Sequence, residues 1–123
     1  MLPLPSQQLD KRIPSAPFNL WKLLEEQAVG LAFSIQQKKT HPLHQFDVAV
    51  AQETAALRAS GATLLPDKKQ AYEDGLKKLA ELAHDIHVDG HHQQWDLAAT
   101  QQVQLLAVLK TTESLCPGNI SGQ

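Results

Sequence analysis

The sequence contains a single cysteine, Cys116, among its 123 residues. An internal disulfide is therefore excluded, and such low use of cysteine is typical of proteins in a reducing compartment. The charges nearly cancel, because 11 lysine and arginine residues stand against 13 aspartate and glutamate residues. A chain this close to neutrality has no general electrostatic attraction for nucleic acid or for an anionic membrane surface.

Long apolar runs are absent as well. None approaches the roughly 20 consecutive apolar residues that a membrane-spanning helix requires. The first residues have no basic start and are interrupted by Pro3 and Pro5, which is not the pattern of a secretion signal. We therefore predict a soluble, cytoplasmic protein that has no membrane partner.

The residue patterns of the common catalytic sites are also missing. The sequence contains no H-E-x-x-H, no G-x-S-x-G and no P-loop. Glu81 and His84 form the only Glu-x-x-His pair, whereas a di-iron bundle needs two such pairs. Cys116 is expected at a helix C-terminus, where the helix dipole disfavours the thiolate that a nucleophile needs. We therefore predict a protein that is not an enzyme.

The sequence does contain four stretches with the 3.6-residue period of amphipathic helices. Apolar residues recur three and four positions apart, so each stretch presents one stripe to a core. The stripes begin at Trp21, Leu43, Tyr72 and Trp95. Because the connections are short, neighbouring helices are expected to be antiparallel. The pattern predicts an all-α fold, an antiparallel up-down-up-down four-helix bundle with an extended N-terminal arm. The alternative is three long helices with the first helix exchanged with a second chain.

Proline and glycine divide the chain into three segments. Residues 1–16 hold three prolines, so we predict an extended or disordered arm there. A single helical-bundle domain is predicted over 17–116 and a frayed tail over 117–123, where Pro117 stops the last helix. Within the domain, turns are expected at Pro42 and at Asp89–Gly90. The predicted helices cover about 17–39, 43–60, 66–88 and 92–115.

Histidine is concentrated at the predicted turns. His41 and His44 flank the first turn, and four more histidines surround the third turn beside Asp85 and Asp89. An up-down bundle places both turns at the same pole. Neutral imidazoles with carboxylates are good ligands for zinc, copper or nickel. The candidate ligands of a zinc or copper ion are His84, His87, His91 and His92. The alternatives are a pH-responsive cluster on these residues and plain solvated histidines at helix ends.

The fourth predicted helix carries few charges. Between Gln93 and Leu115 the only charged residues are Asp96, Lys110 and Glu113. Depletion of charge is a mark of interface cores. Apolar residues of the first helix that lie off its buried stripe extend this surface. The candidate interface residues are Trp21, Phe33, Leu97, Gln101, Gln104 and Val108. The alternative is that the fourth helix is simply the most buried helix of a monomer.

These features predict a non-catalytic helical module for protein–protein interaction, with self-association through the fourth and first helices. A metal- or pH-responsive bundle that uses the histidine pole is the first alternative. An accessory factor of nucleic-acid machinery is the second. The lysine pairs of this chain, such as Lys68–Lys69 and Lys77–Lys78, alternate with acidic residues and have no aromatic residues between them. This pattern argues against a nucleic-acid partner. No cofactor is expected apart from the zinc or copper ion.

Overall fold

In a computed structural model of the protein, residues 17–116 are described, and they form four α-helices joined by short connections. A short 3-10 helix, Ala59–Gly61, follows the second of them. Within this part of the chain no residue belongs to a strand, so the predicted all-α class is confirmed there. The predicted arm over 1–16 and tail over 117–123 lie outside the described residues. The helices are α1 (Pro17–Gln36), α2 (Thr40–Arg58), α3 (Pro66–His91) and α4 (Trp95–Glu113).

The turn between α1 and α2 is tighter than the sequence pattern predicts. Lys38 adopts a left-handed φ of 57°, and the Lys39 N–H donates to the Ser34 carbonyl, which closes α1. Since α2 begins at Thr40, Pro42 lies in its first turn rather than in a break before it. Proline fits there, because the first N–H groups of a helix have no partner within the helix. The predicted start at Leu43 is therefore three residues late.

The predicted turn at Asp89–Gly90 is wrong, because α3 continues through both residues to His91. The chain turns at Gln93 instead, which has a φ of 63°. Gly90 is buried against α2 and α4. A Cβ there would overlap the side chain of Leu43 and approach the Trp95 ring to 3.2 Å. This glycine permits close helix packing and does not form the turn.

The four helices surround one hydrophobic core. The main packing pairs are α1 with α2, α2 with α3, α3 with α4, and α1 with α4. Trp21 and Tyr72 are fully buried and meet edge to face, with ring centres 6.2 Å apart. Among the described helices, none is long and apolar enough to cross a membrane. These contacts are consistent with a helical bundle.

Contacts between helices set which turns are neighbours. At the start of α3, the Tyr72 hydroxyl donates to the Leu57 carbonyl near the end of α2, at 2.9 Å. The same hydroxyl lies 3.5 Å from the Cys116 sulfur, just beyond α4. At the end of α3, Gly90 packs against Leu43 in the first turn of α2. The first turns of α2 and the last turns of α3 are therefore neighbours, and this is where the histidines lie.

Candidate metal centre

Asp47 of α2 and two histidines of α3 converge at this end of the molecule. His84 and His87 are three residues apart, so both lie on one face of α3. That face meets α2 two turns after its start, where the Asp47 carboxylate contacts both rings. The His84 side chain is 63% exposed, whereas those of His87 and Asp47 are 26% and 21% exposed. The cluster is open to solvent on one side and shielded by the two helices on the other.

The ligand-type atoms of this cluster lie close together. Asp47 Oδ2 lies 3.1 Å from His84 Nδ1 and 3.0 Å from His87 Nδ1. One ligand-type atom from each of the three side chains lies within 4.8 Å of the other two. In a tetrahedral zinc site with bonds of about 2.0–2.1 Å, neighbouring ligand atoms are about 3.3 Å apart. A small adjustment would therefore suffice to bring all three atoms onto one ion.

The same contacts also form without an ion. Each imidazole Nδ1–H donates to the shared carboxylate oxygen, so the trio links α2 to α3 through two hydrogen bonds. Metal binding would replace these bonds, because the ion takes the same atoms and shifts the ring protons to Nε2. A metal and the hydrogen-bonded trio are thus mutually exclusive states of one cluster.

The other two predicted metal ligands lie at the C-terminal end of α3, where His91 is its last residue and His92 follows it. His91 and His92 pair with each other, with ring centres 5.9 Å apart. Together with His84, His87 and Val88 they line an open depression of about 300 Å³. The predicted group of four histidines therefore shares one surface, but only His84 and His87 reach the carboxylate.

Asp47 is the ligand-type residue that sequence reasoning missed. The carboxylates expected beside the histidines were Asp85 and Asp89, which precede the turn in sequence. Asp85 is exposed, and neither residue belongs to the converging group. One signal was present, because Asp47 follows His44 by three residues and so shares its helix face. The sequence alone did not show which face of α2 meets α3.

A buried carboxyl group lies elsewhere on α2. Glu53 is 2% exposed, and burial raises its pKa to about 7, although a hydrogen bond with Gln27 of α1 partly opposes this rise. Within the described part of the chain, Glu53 Oε1 and Gln27 Oε1 have no hydrogen-bond partner. Glu53 is therefore a buried acid that favours its neutral form.

The predicted interface residues differ in their exposure and form three groups. Trp21 has no exposed surface and belongs to the core, so its assignment to an interface is corrected. It faces inward because its apolar stripe is the one that packs on Tyr72. Gln101 and Val108 are half-buried, and Gln104 is exposed. Phe33 and Leu97 are also exposed, at 62% and 45%.

Two further apolar side chains on these helices are exposed, Val29 and Val103. Each directly follows a residue of the α1–α4 contact, in which Gln102 Nε2 donates to the Ala28 carbonyl at 2.8 Å. Val29 and Val103 are therefore level with each other along the pair of helices.

No protein-family model, no curated protein and no solved structure matches this chain.

Proposed function

We propose that this protein is a non-catalytic helical module that binds one divalent transition-metal ion at Asp47, His84 and His87. The observation that carries the proposal is the convergence of three ligand-type atoms from two helices within 4.8 Å. Two imidazoles and one carboxylate favour zinc, copper or nickel. Magnesium and calcium are disfavoured, because they prefer oxygen ligands in larger number.

The role of the ion would be to join α2 to α3. Our proposal includes the antiparallel up-down-up-down order of the helices. It is supported by Leu57 meeting Tyr72 at one end and Leu43 meeting Gly90 at the other. In that order, an ion at Asp47 bridges residues far apart in sequence near one pole. Binding to the folded chain then stabilises it by mass action.

The test is a zinc titration of the metal-free protein, followed by calorimetry and by thermal unfolding. At a free zinc concentration of 100 times Kd, the free energy of unfolding should rise by about 2.7 kcal/mol. The triple variant Asp47→Asn, His84→Ala, His87→Ala should lose both the heat of binding and this rise. Asp85→Asn is the matched control, since it removes a nearby exposed carboxylate from outside the cluster. Zinc binding by the triple variant with unchanged affinity would refute the proposed site.

Self-association through α1 and α4 is a second candidate function. It is favoured by the exposure of three apolar side chains on the outer side of this helix pair. Phe33 and Val103 are 62% and 63% exposed, and Val29 is 56% exposed. The low charge of α4 adds to the apolar character of the surface. Leu97, Gln101, Gln104 and Val108 remain proposed contributors from α4.

Sedimentation of the wild-type chain over a wide concentration range tests this second function. A dimer or larger species is expected, and Phe33→Glu with Val103→Glu should return it to a monomer. Leu65→Glu is the control, because Leu65 is equally apolar and 71% exposed but lies outside both helices. A wild-type monomer at the highest concentrations would exclude self-association.

A further inference from the structure

We propose that His44 is a fourth ligand, so that the metal centre is a closed set of three imidazoles and one carboxylate. This inference rests on the proposed function, since it completes the same site. His44 lies in the first turns of α2, three residues before Asp47. Each helix then supplies a pair of ligands with the same spacing, His44 with Asp47 from α2 and His84 with His87 from α3.

The position of the His44 ring supports this assignment. Its centre lies 5.0 Å from that of His87, and the two planes are tilted by 59°. With a zinc–nitrogen bond of about 2.0 Å, the centre of an imidazole lies about 3.2 Å from the ion. Two such rings at a tetrahedral angle therefore have their centres about 5 Å apart. The His44–His87 separation matches the separation expected for two rings on one ion.

The register of the two helices leads to the same four residues. His44 lies level with His87, as their ring contact shows, and Asp47 contacts both His84 and His87. His44 lies outside the group of three whose ligand-type atoms are all within 4.8 Å of one another, so its ring must turn toward the ion to complete the set. The ring centre of His84 is 6.5 Å from that of His87, so it must move inward by about 1.5 Å to reach the separation of about 5 Å expected for two rings on one ion. Its exposed side chain is free to do so.

A fourth protein ligand changes the kind of site. Structural zinc sites have four protein ligands, whereas catalytic sites keep a position for water. With His44 bound, the ion has no vacancy for substrate, and its effect is to fix α2 against α3. This agrees with a module that has no catalytic role.

Cobalt(II) is the probe, because four-coordinate cobalt absorbs visible light strongly and five- or six-coordinate cobalt absorbs it weakly. The wild-type chain should give the strong spectrum on titration with cobalt chloride. His44→Ala should weaken cobalt binding by at least about tenfold, the lower limit seen when even an outer-shell partner is lost. Its remaining spectrum should differ from that of the wild type in band position, because a water oxygen replaces an imidazole nitrogen as the fourth ligand.

His41→Ala is the matched control, since His41 lies one turn earlier on the same helix and is exposed. It should bind cobalt like the wild type. If His44→Ala keeps both the wild-type affinity and the wild-type spectrum while His87→Ala loses both, the fourth ligand is wrong and the three-residue site stands. If His91→Ala has the effect expected of His44→Ala, His91 is the ligand instead. If the wild-type chain binds no cobalt, the proposed function fails as well.

Discussion

Replacing Glu53 with glutamine should make the protein more stable at pH 8 and leave its stability nearly unchanged at pH 4.5. Glu53 faces the core from α2 and is 2% exposed. Desolvation raises its pKa from 4.5 to about 7, and the hydrogen bond with Gln27 offsets only part of this effect. Glutamine has nearly the same shape and carries no charge at any of these pH values.

The direction of the pH dependence follows from the two protonation states. Below pH 4.5 the carboxyl is neutral in both the folded and the unfolded chain, so it contributes no pH dependence. Between 4.5 and about 7 the folded chain keeps the proton of Glu53 while the unfolded chain releases it. Unfolding therefore becomes easier as the pH rises through this window. Above about pH 7 the full destabilisation is present. It is at most about 3 kcal/mol, because each unit by which the pKa of Glu53 differs between the folded and unfolded chain contributes 1.36 kcal/mol.

Urea unfolding followed by circular dichroism, at several pH values in metal-free buffer, measures this effect. The quantity of interest is the difference in unfolding free energy between Glu53→Gln and the wild type. It should grow between pH 4.5 and 7 and then level off. Glu26→Gln, which removes an exposed carboxylate of α1, should show no such growth. Parallel pH profiles for the wild type and Glu53→Gln would refute the argument, because the histidine titrations are common to both.

Three further substitutions test helix packing and one buried hydrogen bond. Gly75→Ala should destabilise the protein by about 1–3 kcal/mol, because a Cβ there would lie 2.9 Å from the Thr112 Cβ and side-chain rotation cannot relieve that contact. Gly30→Ala should instead stabilise it by about 1 kcal/mol, because nothing lies within 4 Å of the added carbon. Equal effects of the two changes in urea unfolding would contradict this interpretation. Tyr72→Phe should lower the free energy of unfolding by about 1 kcal/mol, because it removes the hydrogen bond to the Leu57 carbonyl. A lower midpoint of thermal unfolding is the expected result. An unchanged midpoint would show that this hydrogen bond contributes nothing to stability.

Periodicity alone predicted the existence and approximate extent of all four helices. Each stripe is long and regular, so the pattern has few competing interpretations. The helix ends were predicted less well, because packing decided them. Gly90 was interpreted as a turn residue, but contacts with Leu43 and Trp95 keep it within α3. Such contacts join residues distant in sequence and leave no local pattern.

The candidate site was predicted only in part, because it also depends on contacts between residues distant in sequence. A cluster of histidines is visible in the sequence, so His84 and His87 were found. Asp47 was missed because its role depends on which face of α2 lies against α3. Trp21 begins the apolar stripe of the first helix, so the periodicity itself indicates a core position, and its complete burial agrees with that stripe rather than with an interface.

The absence of a side chain at residue 90 determines how near α2 approaches α3. Leu43 occupies the space that a methyl group on residue 90 would fill, and His44 is the next residue. Any larger residue there would push the two helices apart and widen the gap that the proposed ion would span. Gly90 has no side-chain donor atom, yet its contact with Leu43 fixes how closely His44 approaches the histidines of α3.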